Sequence, residues 1–281
     1  MIRRFAQVDV FGAHPLAGNP VAVVLDADGL SDETMADFAR WTNLSETTFV
    51  LPPTDPAADY RLRIFTPRNE LPFAGHPTLG SAHAWLADGG TPSGADIVQE
   101  CGAGLVPIRP DGPRLAFAAP ERTRSGPVDP GTRTEVIAAL GLAPEHVLAA
   151  EWVAVGPQWM ALRLDSAERV LGARPDFAAL GDYEVGLVGS YPDGHPDDPA
   201  VSLEVRAFAP GDGIPEDPVT GSLNAGLAHW LRADGIIGTS YVASQGTVMG
   251  RAGRIHVVVD DGQHIWVGGE SSTVVAGTVD L

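Results

Sequence analysis

Residues 75–89, GHPTLGSAHAWLADG, and residues 220–235, TGSLNAGLAHWLRADG, spell nearly the same pattern twice. Each follows a strand-like segment ending in Phe-x-Pro, YRLRIFTP up to Pro67 and SLEVRAFAP up to Pro210. The pattern predicts a strand, a Gly-rich loop and a helix of small and apolar residues. A helix that is apolar all round must be buried. Its buried start leaves backbone N–H groups without intrahelical partners, a ready seat for an anion. Two such starts predict a two-lobed protein that grips a carboxylate-bearing small molecule between its halves.

The repeat extends beyond the helices. DFARWTNLSETTFVLP from Asp37 is echoed by DFAALGDYEVGLVGSYP from Asp176, and GNPVAVVL from Gly18 by GPQWMALRL from Gly156. The offset grows from 139 (Asp37 to Asp176) through 143 (Phe65 to Phe208) to 145 (Trp85 to Trp230). Four pairs in one order, offset by about half of 281 residues, fit a duplicated unit rather than a solenoid.

Composition narrows the class. A hydrophobic content of 44% and a charged content of 19% describe a globular chain. No apolar run approaches the roughly 18 residues of a membrane span, and the opening MIRRFAQVDVFG alternates as a strand, without the apolar core of a secretion signal. The single cysteine, Cys101, excludes an internal disulfide and fits a reducing cytoplasm. A net charge of −18 argues against nucleic acid. It leaves an anionic small substrate open, because the local field at a helix start can differ from the global charge.

Absences remove whole chemistries. The chain has no lysine, which excludes a lysine Schiff base and the phosphate loop ending in Gly-Lys. CGAGLVPIRP around Gly102 lacks the third glycine and the helix of a dinucleotide loop. The eight histidines form no His-x-x-x-His pair. The expectation is a mechanism without metal, nucleotide or other cofactor.

The remaining punctuation predicts mostly short strands, with helices over 31–42, 77–88, 132–140 and 222–232. The Pro-, Gly- and charge-rich stretch 119–133 reads as a linker. An N-terminal lobe over residues 1–120 and a C-terminal lobe over 121–267 follow, with the last strand, in 268–281, crossing back to the first lobe. Each lobe is expected to be a curved, mostly antiparallel sheet wrapped round its apolar helix, an α+β fold.

Three side chains stand out for chemistry. Glu46, in NLSETTFVLP, has apolar neighbours that would raise its carboxyl pKa, although a strand-edge surface carboxylate reads as well. Asp217, in GIPEDPVTGS, directly precedes the second helix start and also suits a turn; Glu216 beside it is an alternative acid. His76 lies between Gly75 and Pro77 at the first helix mouth. Ser222 and Thr220 fit a cap and a turn, and Trp85, Trp230, His83 and His229 read as core.

FTPRNELPFAGHPTLG, EDPVTGS and NLSETTFV, with QVDVFGAHPLAGNPVAVV and SQGTVMGRAGRIHV, resemble the PhzF-like isomerase family of phenazine biosynthesis across nearly the whole chain. The resemblance implies a diaminopimelate epimerase-like fold of two pseudo-symmetric lobes. It also implies that Glu46 is the catalytic acid/base, that His76 and Asp217 contact substrate, and that Gly75, Gly221 and Ser222 form the helix mouths. It further implies a homodimer, for which the apolar late strands 254–259 and 274–279 are candidate surfaces. Epimerases and proline racemases of that fold use two cysteines; Cys101, outside both mouths, leaves that chemistry without its second base. Two other readings remain: a hydrolase pairing Glu46 with Asp217 or Glu216, and a non-catalytic protein that binds small acids on the same scaffold.

Overall fold

The computed structural model covers residues 1–281. The first half folds as β1 (Ile2–Val10), β2 (Asn19–Val24), α1 (Asp32–Thr42), β3 (Glu46–Leu51), β4 (Tyr60–Phe65), β5 (Glu70–Leu71), α2 (Gly75–Ala87), β6 (Ile97–Cys101), β7 (Gly104–Asp111) and β8 (Arg114–Ala118). The second half adds β9 (Arg124–Pro127), α3 (Pro130–Ala139), β10 (Val147–Ala154), β11 (Met160–Leu164), α4 (Ala167–Gly172), α5 (Phe177–Leu180), β12 (Val185–Ser190) and β13 (Val201–Ala209). It closes with β14 (Ile214–Asp217), α6 (Gly221–Ala233), β15 (Ser240–Gln245), β16 (Gly253–Val259), β17 (Ile265–Gly269) and β18 (Ser271–Asp280).

Strand pairing repeats between the halves. β2 lies parallel to β3 and β4 to β6, with α1 and α2 as the respective crossovers. In the second half β11 lies parallel to β12 and β13 to β15, across α4–α5 and α6. The remaining pairings are antiparallel, and β8 joins β17 so that one sheet runs through both lobes. The last strand, β18, pairs with β1 of the first lobe. The stretch expected as a linker is partly structured: it contains β9, which pairs with β10, and the capped start of α3. Its Pro and Gly content reflects a short edge strand and a helix cap rather than a free connection.

The two apolar helices are the cores of the lobes. In α2 every residue from Gly75 to Ala82 is buried, and in α6 every residue from Gly221 to Ala228. One continuous cluster of 42 buried apolar residues includes Leu79 of α2 and Leu223 and Leu227 of α6. Smaller apolar layers lie on the outer faces, under α1 in the first lobe and under α3–α5 in the second. Trp230 is core as expected, whereas Trp85, His83 and His229 sit at the half-buried rim.

Each helix carries a glycine at its start and another five residues on, Gly75 and Gly80, Gly221 and Gly226. A Cβ on Gly80 would come within 2.4 Å of Val21 Cγ1, and one on Gly226 within 2.0 Å of the Val153 carbonyl oxygen. These glycines let each helix lie against its sheet. Gly75 and Gly221 do something else: they meet each other. A Cβ on Gly75 would lie 2.7 Å from Gly221 Cα, and one on Gly221 would lie 2.9 Å from Gly75 Cα. The helix starts therefore touch backbone to backbone across the lobe boundary.

Gly75→Ala should push the two helices apart and lower unfolding stability by about 1–3 kcal/mol. Gly172→Ala, where a Cβ would meet nothing within 4 Å, should leave stability unchanged or higher. Urea denaturation of both variants checks the contrast; equal stabilities would mean that the Gly75 contact is not tight.

Candidate active site

The contact between the helix starts places the sequence-predicted residues together. Glu46 opens β3, His76 is the second residue of α2, and Asp217 ends β14 just before α6. All three are at least nine-tenths buried, with His76 only 2% exposed. His76 Nε2 lies 3.5 Å from Glu46 Oε2, and neither atom has another partner. A buried polar atom without a partner is costly, which makes this pair a candidate for binding a ligand.

The helix starts are distinguished by what they lack. α1, α3, α4 and α5 each begin with a side chain that accepts from the first turn: Ser31, Asp129, Ser166 and Asp176. The residues before α2 and α6, Ala74 and Thr220, provide no such cap. Ser222 Oγ accepts from Trp159 Nε1 at 3.1 Å, which orients that hydroxyl without satisfying the helix N–H groups. Two uncapped, touching helix ends concentrate N–H donors and positive dipole ends in one place.

Behind the mouth, Asp217 is held by donors from both lobes. Asn19 Nδ2 donates to Asp217 Oδ1 at 2.8 Å and Ser45 Oγ to the same oxygen at 3.3 Å; Thr220 Oγ1 donates to Oδ2 at 2.6 Å. The Asn19 amide nitrogen also donates to the Val219 carbonyl at 2.9 Å and lies 3.4 Å from His76 Nδ1. Asn19 thus ties the first lobe to the turn that positions Asp217. Gln245 completes the frame: it donates to the Asp217 carbonyl and accepts from Thr220 N.

The same brace exists at both helices. In α2, Thr78 Oγ1 donates to the Ala74 carbonyl and accepts from Gln99 Nε2. In α6, Asn224 Nδ2 donates to the Thr220 carbonyl and to Gln245 Oε1. Ala74, Thr78 and Gln99 are each offset by 146 from Thr220, Asn224 and Gln245. Each brace fixes the first turn of its helix from the strand that follows the crossover.

Burial sets the charge states. It is the main cause of a Glu46 pKa well above the carboxylate range, with Asp217 and then Asp212 adding repulsion. Burial likewise raises Asp217 to about 6, against hydrogen bonds from Thr220, Asn19 and Ser45 that favour the anion. It lowers His76 to about 3, opposed by a backbone hydrogen bond to Pro20. Burial thus disfavours charge on both partners of the His76–Glu46 approach, which is not an ordinary ion pair. Such a carboxyl is a competent proton donor, and its conjugate base is stronger than an exposed glutamate.

Of the alternatives, Glu216 turns away: it forms a bidentate pair with the buried Arg206, at 2.8 and 2.9 Å, and is not a second acid for Glu46. The two lobes also meet at the rim. Arg68, on the turn between β4 and β5, donates to the Gly211 carbonyl on the equivalent turn of the other lobe. Cys101 lies at the β6–β7 turn, away from both mouths.

A family profile described as phenazine biosynthesis-like protein matches residues 8–277. The antisense-enhancing sequence 1 protein of Schizosaccharomyces pombe is 38% identical over 97% of both chains. The trans-2,3-dihydro-3-hydroxyanthranilate isomerase of Pseudomonas aeruginosa is 36% identical over 91% of this chain and 90% of its own. A phenazine biosynthesis protein of the PhzF family from Enterococcus faecalis superposes with a TM-score of 0.79 at 26% identity, covering 100% of both chains. The chain belongs to the phenazine biosynthesis-like protein family, and its α+β fold is that of the family.

The raised Asp217 pKa has a signed consequence for stability. The folded state holds this proton more tightly than the unfolded one, so the contribution is complete below about pH 4 and is lost as pH rises through 6. Glu46 acts in the same direction and His76 in the opposite one. Between pH 4 and pH 7, wild type should therefore lose up to about 3 kcal/mol relative to Asp217→Asn. Paired urea titrations measure it; a difference that stays constant with pH would contradict the assignment.

Proposed function

We propose that this member of the phenazine biosynthesis-like family is an isomerase that moves a proton within a small carboxylate-bearing substrate, with Glu46 as the acid/base. The observation that carries the reading is the unpartnered Glu46–His76 pair, buried beside two uncapped helix starts that touch.

The chemistry follows from those parts. The substrate carboxylate accepts from backbone N–H groups at Gly75–His76 and Gly221–Ser222, and the helix dipoles favour charge that builds on it during reaction. Glu46, as the carboxylate, takes a proton from an activated carbon, and the electron pair left behind delocalises through the conjugated acid. The same carboxyl then returns the proton to a second carbon on that face. Atoms and electrons balance without a redox partner. General acid–base catalysis supplies roughly 10²–10⁴-fold of rate, and positioning with exclusion of water supplies the rest. Asp217, held by Asn19, Ser45 and Thr220, and His76 orient the substrate.

The relative named for trans-2,3-dihydro-3-hydroxyanthranilate supports a cyclic unsaturated acid of that class as the first substrate to try.

Glu46→Gln should abolish turnover while ligand affinity stays within about tenfold, because the amide keeps size but cannot carry the proton. Asp217→Asn and His76→Ala should weaken both binding and rate. In D₂O, wild type should place deuterium on the carbon that receives the proton, and activity should survive chelator and dialysis. Undiminished turnover by Glu46→Gln would falsify the mechanism. Loss of binding alone would make Glu46 a substrate contact and shift the search to Asp217.

A further inference from the structure

The register of the sheet gives each helix mouth a partner from a neighbouring strand. Val21 pairs with Glu46 at the start of β3, and Met160 with Val185 at the start of β12. Pro20 and Trp159, each one residue earlier, therefore hold equivalent places in the two lobes. Each meets the second residue of a core helix. Pro20 meets His76 of α2, and because proline has no N–H its carbonyl accepts from the ring. Trp159 meets Ser222 of α6, the residue 146 positions on from His76. The contact recurs with its direction reversed. In the first lobe the helix residue donates; in the second it accepts, from indole Nε1 at 3.1 Å.

Both partners are out of water, Trp159 at 4% exposure and Ser222 at 3%. Trp159 belongs to the cluster of 42 apolar residues that runs through both lobes, and its carbonyl accepts from Val153 N at 2.9 Å. The turn before it is pinned as well. Gly156 has φ 80°, and a Cβ on it would lie 2.7 Å from the Phe73 carbonyl oxygen, two residues before Gly75. An indole N–H only donates, whereas a hydroxyl has one hydrogen to give and two lone pairs to receive. Trp159 occupies a lone pair of Ser222, so the hydroxyl hydrogen points away from the indole. The helix offers it no acceptor: Thr78 and Asn224, two residues further into each helix, donate to the carbonyl four residues back, and Ser222 does not.

We propose that Trp159 is a positioning residue that fixes the Ser222 hydroxyl as a donor to the bound carboxylate, and so makes the site select a carboxylate over the corresponding carboxamide. This rests on the proposed function, in which the acid group sits at the Gly75 and Gly221 mouths. There its oxygens face donors only, the backbone N–H groups and this hydroxyl. A carboxamide brings an amino group to the same donors and leaves polar hydrogens unpaired in a buried site. A serine free to rotate would accept from that amino group. Trp159 denies it the rotation.

Cyclohexenecarboxylate and cyclohexenecarboxamide, with the double bond conjugated to the acid group, are the probes. In isotope-labelled protein Trp159 gives one of six indole N–H signals, identified by its loss in Trp159→Phe. The acid should shift that signal in wild type and shift it much less in Ser222→Ala. Trp159→Phe keeps a ring and removes the donor, so it should lower the ratio of acid to amide affinity about fivefold or more. Ser222→Ala should lower the ratio as far, and the double variant no further than Ser222→Ala alone. Should the amide fail to bind wild type, its binding to Trp159→Phe is the expected gain. Should Trp159→Phe fail to fold, the indole signal that Ser222→Ala displaces identifies Trp159, and the wild-type titration decides. An acid that moves the backbone amides of Gly75 and Gly221 but not the Trp159 indole overturns this proposal and leaves the proposed function standing. So does an unchanged affinity ratio in Trp159→Phe. No movement of any of these signals at millimolar acid contradicts both.

Discussion

Everything at the centre of this molecule depends on two glycines that touch. Gly75 and Gly221 begin the two buried helices, and their backbones approach so closely that a Cβ on either would overlap the other. Because neither helix start is capped by a side chain, the contact gathers the free N–H groups of both into one volume. The helices are held there from behind by glycines at the sixth residue, which let each axis press on its sheet, and by the Thr78–Gln99 and Asn224–Gln245 braces. The lobes are thus two copies of one machine for presenting a helix end.

On this symmetric frame the chemistry is asymmetric. Glu46 comes from the first lobe with His76, and Asp217 from the second, pinned by Asn19 and Ser45 of the first. No second carboxylate completes a pair with Glu46 from the Glu216 position, because Arg206 binds it. Glu46 as a single acid/base, with Asp217 held apart by its own donors, would suit proton return on one face better than the opposed bases of a two-cysteine racemase. Asn19 and Ser45 donate to a carboxylate across the lobe boundary, so closure of the lobes and the charge state of Asp217 are linked.

Much of this was legible in the chain. The echo of GHPTLGSAHAWLADG in TGSLNAGLAHWLRADG identified both core helices, and their small and apolar residues pointed to burial. Glu46, His76 and Asp217 were found from their neighbours, and the structure brings them together. What escaped was whatever acts at long range. Asn19 lies 198 residues from Asp217, and only the folded geometry joins them. Gln245 and Gln99 read as ordinary strand residues, although their shared offset of 146 from one another was a signal available in the sequence. β9 was hidden because Gly and Pro, the mark of a linker, also mark a guarded edge strand.

The central claim is that the touching helix starts hold the substrate's carboxylate with Glu46 at its side. A crystal structure of Glu46→Gln soaked with a small cyclic unsaturated acid tests it most directly. The account predicts the carboxylate within hydrogen-bond distance of backbone N–H groups at both Gly75–His76 and Gly221–Ser222, with the ring against residue 46. An acid bound elsewhere, or held by one helix start alone with its ring away from residue 46, would contradict it.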